Sequence, residues 1–333
     1  MAIYERILLT GASGFVGSHL APALARAYPE ARRVAMAAPG DARCMADWEI
    51  ARADLTDEAQ IERLVAQTVP DLVVHLAGMA SPHLARQDRA GVRRVNARGC
   101  EHLASALSRH APGSTVLFAS SASVYDWSKL AGDAATEDAP LRSADTEDDD
   151  PYAASKVVAE DVLAKTLDAS AKLVIARPTN HSGWGQKDRN FPLARFAERI
   201  VEIENGQVEP IIEHGDLDAG RDFLDVRDVV DAYLRLIALA PTLPAGTSVF
   251  NVGSGKAHRI GDLLERLRGM TRAETATRRD SNFGKAAIRS MVCDASRLRR
   301  ATGWAPHYSI DEMLQSLLDF WRRETASSWD AAQ

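Results

Sequence analysis

Short runs of consecutive apolar residues alternate along this chain with longer stretches in which apolar positions recur every three or four residues. That alternation predicts strands buried on both faces, separated by amphipathic helices. The first run is Ile7-Leu8-Leu9, and the spacing of Leu20 and Leu24 follows it. A second strand is predicted over residues 33–37. A helix through Ile61, Leu64 and Val65 precedes Leu72-Val73-Val74-His75-Leu76, the clearest buried strand in the chain. An amphipathic helix over 92–107 leads to a strand at 115–119, and a helix from about Asp150 leads to another at 173–176. Strand and helix taking turns in this way build a doubly wound parallel sheet, the Rossmann α/β arrangement.

Beyond Pro178 the texture changes. A loop over 179–186, a helix over 192–204 and a turn-rich stretch over 215–220 lead to a helix ending at Leu239 and a strand at 249–252. The expected organisation is a doubly wound domain over 1–178, rejoined at about 222–253. A smaller, discontinuous α/β domain takes 179–221 and 254–333. Ser309-Ile310-Asp311-Glu312 reads as a capping box, opening a packed helix with Met313, Leu314, Leu317, Leu318 and Trp321 on one face.

Composition narrows the class. The 333 residues, 46% hydrophobic, can bury a sizeable core. A formal net charge of -6 with scattered basic residues builds no positive face, which argues against nucleic acid and leaves a small anionic ligand open. Cys44, Cys100 and Cys293 lie far apart, without metal-ligand spacing or an even count, and fit a reducing compartment as small core residues. The first residues lack the features of a secretory signal, and no apolar run approaches the ~18 residues that span a bilayer. A cytoplasmic protein without metal or membrane partner is expected.

Two stretches carry chemistry. Thr10-Gly11-Ala12-Ser13-Gly14-Phe15-Val16-Gly17 joins the first strand to the first helix. In that setting Gly11 permits the tight turn, Gly14 lets the backbone approach a pyrophosphate, and Gly17 lets helix and strand pack closely, with the helix N-terminus facing the anion. After the second strand an acid would hold a ribose hydroxyl and an arginine a 2′-phosphate. The chain offers no acid at the strand end and has Arg43 beyond it, which tilts the choice between NAD and NADP slightly towards NADP. Asp54 is a candidate for the adenine amino group and Asp57 for a helix cap. His75 reads as a core histidine.

The second stretch is Asp150-Pro151-Tyr152-Ala153-Ala154-Ser155-Lys156. Tyr152 and Lys156 are one helical turn apart and leave the same face. A fixed ammonium beside a phenol favours the phenolate, so this pair is suited to passing a proton. Ser120-Ser121 ends the strand at 115–119, on the sheet edge to which the Tyr152 helix also delivers its side chains. The acid-rich segment over 126–150, with Asp148-Asp149-Asp150, reads as a surface loop bordering the site.

The glycine loop, the set Ser121, Tyr152 and Lys156, and Arg221-Asp222-Phe223 together resemble the extended short-chain dehydrogenase/reductases that act on nucleotide sugars, over nearly the whole chain from Gly11 to Trp304. The resemblance implies an NAD(P) site built on Gly11, Ser13, Gly14, Phe15, Val16, Gly17, Arg43, Asp54, Leu55, Leu76, Ala77 and Gly78 with Tyr152 and Lys156. A nucleoside diphosphate sugar would lie against the second domain, and a homodimer through helices of the first is expected. Within the family, 177–186, 251–255, 293–298 and Thr302-Gly303-Trp304 look most like the reductases of GDP-linked 4-keto-6-deoxy-mannose. The chain departs from that pattern at Thr179, Trp184 and Asp126, where the group usually has phenylalanine, proline and glycine. Changes beside the sugar pocket bear on which sugar fits.

What the resemblance implies chemically is hydride transfer from a nicotinamide to a 4-keto carbon. Tyr152 would then act as general acid, Ser121 would donate to the same oxygen, and Lys156 would hold the ribose and lower the phenol's pKa. Arg221 and Arg279 are candidates for the diphosphate. Asn180, Asn190 and His181 either reach sugar or phosphate, or satisfy only local backbone. Ala122 and Ser123 stand where the 4,6-dehydratases of the family carry an acid, which argues against dehydration. A 4-epimerase with tightly bound NAD is the alternative, and a non-catalytic dinucleotide sensor the reading from another class.

Overall fold

A computed structural model describes residues 4–41, 45–130, 134–143, 150–280 and 288–330. In chain order the strands and helices are β1 (Arg6–Thr10), α1 (Phe15–Ala27), β2 (Arg32–Ala37), β3 (Glu49–Arg52), α2 (Glu58–Thr68), β4 (Leu72–His75), α3 (Pro82–Gln87), α4 (Arg89–Arg93), α5 (Gly99–His110), β5 (Thr115–Ala119), α6 (Pro151–Thr166) and β6 (Lys172–Pro178). Then come β7 (Asn180–Ser182), α7 (Pro192–Glu204), β8 (Ile211–His214), β9 (Gly220–Asp225), α8 (Val226–Leu239), β10 (Gly246–Val252), β11 (Ala257–Arg259), α9 (Ile260–Gly269), β12 (Ala276–Arg279), β13 (Ser290–Met291), α10 (Ser296–Thr302) and α11 (Ile310–Asp330). The helix expected over 92–107 is a longer rod, α4 and α5 joined by a π-helical turn at Arg94–Arg98.

Seven strands form one parallel sheet in the order β10-β6-β5-β4-β1-β2-β3. Its strands are apolar on both faces, because helices cover both. One face packs Leu9, Leu117 and Val174 against α1 and α8, and the other packs Leu8, Val73, Val116 and Ile175 against α2, α5 and α6. The order reverses between β1 and β4, and at such a switch point the loops diverge and leave a crevice.

The chain rejoins this layer through α8 and β10, the latter pairing with β6 over Gly246–Val252. The stretch at Arg221-Asp222-Phe223 belongs elsewhere. It lies in β9, the centre of a small sheet with β11, β13 and β7, while β8 and β12 form a two-stranded sheet of their own. α7, α9 and α11 close a separate apolar core around Phe196, Leu263 and Leu317. The capping box forms as read: Ser309 N donates to Glu312 Oε2 at 2.8 Å and Glu312 N to Ser309 Oγ at 3.2 Å. Among the described residues no helix is long and apolar enough to cross a membrane.

Candidate active site

The C-terminal ends of β1, β4, β5 and β6 lie side by side and send their loops to one edge. At β1 the chain turns through Gly11 with φ +71°, and a Cβ there would lie 2.6 Å from the backbone nitrogen of Ala77. A Cβ on Gly17 would lie 2.1 Å from the carbonyl oxygen of Gly11. Side chains at either position would force the loop off the sheet. α1 starts at Phe15 after Gly14, with no side-chain hydrogen bond capping it. Its first-turn amides and the positive end of its dipole are therefore free to meet a diphosphate. A cavity of about 1020 Å³ runs from Ser13, Gly14 and Phe15 past Met36 and Ala37 to Trp48.

The neighbouring strand end completes a cradle. Leu76, Ala77 and Gly78 follow β4, and a Cβ on Gly78 would lie 2.8 Å from Asn96 Oδ1 and 3.9 Å from Lys156 Nζ. A side chain there would push Asn96 aside and close in on that ammonium. Leu55 is buried where a Cβ on Gly99 would strike it, at 2.5 Å from its Cγ. Val16 is half-buried against the sheet. Asp54 Oδ1 accepts from Thr56 N and Oγ1, both at 2.8 Å, so its carboxylate is engaged in the turn before α2, while Asp57 caps that helix through Gln60 N at 3.0 Å. Arg43, Asp148 and Asp149 lie outside the described residues. His75 is a core histidine: Nδ1 is 2.7 Å from Thr10 Oγ1 and Nε2 is 3.3 Å from Cys100 Sγ.

Ser121, Tyr152 and Lys156 come together. Ser120 N donates to Ala176 O at 2.8 Å, extending the β5–β6 ladder, and Ser121 then opens a 3-10 turn over Ala122–Val124 in which Ser123 N donates to Ser121 Oγ at 3.1 Å. Asp150 caps α6 by accepting from Ala153 N at 3.1 Å, and Pro151 occupies the first helical position. This start sets Tyr152 beside Ser121, whose hydroxyl donates to Ser123 Oγ at 3.0 Å. Lys156, 6% exposed, donates from Nζ to Ala119 O at 2.8 Å and lies 4.8 Å from the Phe118 ring centroid.

The phenol's acidity differs from the expectation. Burial pushes Tyr152 up to about 12, with Ser121 acting the other way and Asp150 adding to the rise. Lys156 is not among the groups that act on it; it is itself buried, pushed down to about 8, and engaged with Ala119. Desolvation sets the phenol's acidity. A neutral phenol and a hydroxyl side by side can both donate to one oxygen.

The remaining candidates are dispersed. Asn180 and His181 lie on β7, paired with Phe223 and Leu224 of β9. His181 Nδ1 is 3.0 Å from Thr179 O, and its ring stacks on Phe15 of the glycine loop. Asn190 is exposed and donates from Nδ2 to Asp188 Oδ1 at 2.6 Å. Arg221 Nη1 donates to Gly220 O at 2.7 Å and Ile288 O at 3.1 Å, and burial lowers its pKa. Arg279 is exposed at the end of β12, opposite His214.

The three departures have structural tasks. Trp184 sets its indole edge-on against Phe320 of α11, at 5.6 Å between centroids. Thr179 Oγ1 donates to Val252 O at 3.3 Å. Asp126 pairs with Lys129 at 2.8 Å.

Asn96 reads in the sequence only as one residue of the helix over 92–107, with no role of its own. It sits buried on the π-helical turn, accepts from Met79 N at 2.8 Å, and donates to Met79 O at 3.1 Å and Ser155 Oγ at 2.9 Å. It joins the loop after β4 to α6. The available signal was a lone polar residue in the apolar stripe Val92, Asn96, Gly99, Leu103. Asp222 was read only as part of a motif; fully buried, it accepts from Ser254 N at 2.9 Å and Gly255 N at 3.0 Å and clamps the small sheet.

Comparison with known proteins agrees with the fold. The NAD dependent epimerase/dehydratase family matches residues 7–253. The chain is 33% identical to GDP-6-deoxy-D-mannose reductase of Pseudomonas aeruginosa over 95% of its own length and 97% of that protein's. It is 27% identical to dTDP-L-rhamnose 4-epimerase of Burkholderia thailandensis, over 94% of each. A solved structure of RMD from Pseudomonas aeruginosa complexed with NADPH superposes with a TM-score of 0.78 at 31% identity, covering 96% of this chain and 99% of that one.

Proposed function

Because the chain belongs to the NAD dependent epimerase/dehydratase family, we propose that it reduces the 4-keto group of a nucleotide-linked 6-deoxy sugar, GDP-4-keto-6-deoxy-mannose or a close relative. The observation that carries this reading is the meeting of Tyr152 and Ser121 over Lys156 at the edge where the glycine loop opens. The large sheet, with α8 and β10, carries the dinucleotide, and the small sheets carry the sugar nucleotide. When bound, NADPH or NADH supplies the hydride; the NADPH complex of the Pseudomonas aeruginosa relative supports NADPH.

The residues do the rest. Burial keeps Tyr152 a neutral phenol, able to give its proton to the oxygen that becomes an alkoxide. Ser121 donates a hydrogen bond to the same oxygen as charge develops on it. Lys156, beside the space at Gly78, holds a ribose hydroxyl and returns positive charge to the site. The turn at Ala122 and Ser123 brings no acid to assist loss of water.

Tyr152→Phe should lower turnover by at least about 100-fold while NADPH affinity stays within a few fold. Retained turnover contradicts the proton-donor role. Screening GDP-, UDP-, dTDP- and CDP-linked 4-keto sugars with NADPH and NADH identifies the substrate. The 4-epimerase among the relatives favours a second reading with the same three residues and a recycled hydride; consumption of one NADPH per sugar rules it out. A homodimer belongs to this reading, and a monomer at micromolar concentration in sedimentation removes it.

A further inference from the structure

A buried ion pair lies directly behind the serine turn. Glu160, on α6 one turn beyond Lys156, is 5% exposed, and Arg177, near the end of β6, is 4% exposed. Arg177 Nη2 donates to Glu160 Oε2 at 2.6 Å and Nε donates to Oε1 at 3.0 Å, a two-point contact that fixes the planes of both groups. Oε1 also accepts the hydroxyl of Ser120, the residue immediately before Ser121. From its other side Arg177 Nη1 donates to the Tyr125 hydroxyl at 3.1 Å, with the guanidinium 4.9 Å from that ring's centroid. The Tyr125 hydroxyl donates in turn to Asn251 Oδ1 at 2.6 Å, at the end of β10.

Ser120 and Tyr125 bracket the turn that presents Ser121. We propose that the Glu160–Arg177 pair is a positioning device for this site: it holds both ends of the serine turn and ties them to the helix that carries Tyr152 and Lys156. The inference rests on the reading of Ser121, Tyr152 and Lys156 given above. Stability alone is a poor reason for such a pair, since desolvating two charges offsets most of their attraction and apolar residues of like volume serve as well. Apolar residues would, however, leave the Ser120 hydroxyl without its acceptor and the Tyr125 hydroxyl without the donor that fixes it from the other side.

The pair also bears on Lys156. Around that ammonium stand Glu160 from α6, Cys100 from α5, His75 from β4, and the Ala119 carbonyl and Phe118 ring from β5. Burial lowers the Lys156 pKa, and Cys100 and then Glu160 act against that fall, so the carboxylate of the pair favours the ammonium.

The test uses the full chain with NADPH and GDP-4-keto-6-deoxy-mannose. Ser120→Ala cuts the turn from the carboxylate while leaving the ion pair intact. It should lower kcat about tenfold, with the KM for NADPH within twofold and the melting temperature little changed. Glu160→Gln should lower kcat at least as far and move the alkaline limb of kcat/KM to lower pH. The double variant should be no worse than Glu160→Gln alone, because Ser120 acts through that carboxylate.

Parental kcat in Ser120→Ala overturns the proposal, as do strictly multiplicative losses in the double variant. If Glu160→Gln does not fold, Tyr125→Phe takes its place, with the same fall in kcat expected and parental kcat overturning the idea. Tyr152→Phe, assayed alongside, separates the failures: an active Tyr152→Phe sinks the reading of the site, whereas an inactive one beside a fully active Ser120→Ala sinks only the positioning role.

Discussion

The rings of Phe15 and His181 lie nearly parallel, their planes 9° apart and their centroids 6.0 Å apart. Phe15 belongs to the glycine loop, and one turn along α1 the His19 Nε2 is 2.7 Å from the Trp184 carbonyl oxygen. The segment after β6 thus rests on the glycine loop and the first turn of α1. His181→Ala removes one face of the Phe15 stack, a contact of about 1 kcal/mol. The KM for NADPH should rise about fivefold, and that for the sugar nucleotide should stay within twofold. Steady-state kinetics with each substrate varied in turn decides it; a rise confined to the sugar KM would assign His181 to the sugar.

Trp184 provides a different test. Its indole stands edge-on to Phe320 with the Arg323 guanidinium 4.9 Å from its centroid, so its work is to fasten this loop to α11. Trp184→Ala should cost about 2 kcal/mol in denaturant unfolding, less than a fully buried tryptophan because this one is half-buried. The ratio of kcat/KM between GDP- and dTDP-linked sugars should not change. A changed ratio at unchanged stability would return Trp184 to the sugar pocket.

Lys156 carries a pH dependence of definite sign. Burial holds its folded pKa at about 8, below the ordinary 10.5. Activity that needs the ammonium should therefore fall as pH rises through about 8 in the free enzyme, read from kcat/KM. Stability runs the other way. Between 8 and 10.5 the unfolded chain binds the proton that the folded chain has lost, so the cost of burying the ammonium, complete below 8, is relieved as pH rises. Lys156→Met escapes that cost, and its stability advantage over the parent should shrink by about 3 kcal/mol between pH 7 and pH 10.5. A constant difference across that range would show that Lys156 is not desolvated.

Local patterns were legible in the sequence where one stretch of chain settles the outcome. The glycine loop needs only Gly11, Gly14 and Gly17 in order, and helical spacing alone puts Tyr152 and Lys156 on one face. The Asp57 cap and the Ser309–Glu312 box are likewise made within four residues. What stayed hidden depends on residues that meet only after folding. The direction of the Trp184 ring is set by α11, more than a hundred residues later. Tyr152 keeps its proton because of burial by several elements, a sum that no spacing displays. Asn96 looked like one polar residue in a helix, since its partners Met79 and Ser155 come from two other segments. Arg221-Asp222-Phe223 was recognisable as a unit, yet only the pairing of β9 with β11 and β13 shows Asp222 as a clamp and Arg221 bound to the carbonyl of Ile288.

His75 supplies an acid-stability test. It lies at the end of β4 with Thr10 and Cys100 on its two ring nitrogens, and burial, helped by the charge of Lys156, holds its pKa down to about 3. The ordinary value is 6.5. As pH falls below that, the unfolded chain takes up a proton that the folded chain refuses, so the stability present above pH 6.5 is lost progressively towards pH 3. From pH 6.5 to pH 5 this amounts to about 2 kcal/mol. His75→Gln keeps a polar group near Thr10 but does not titrate. It should be less stable than the parent at pH 7, and it should lose about 2 kcal/mol less than the parent on going to pH 5. Equal losses in urea titrations at the two pH values would mean that His75 is protonated in the folded chain, and that Thr10 and Cys100 do not seal it from water.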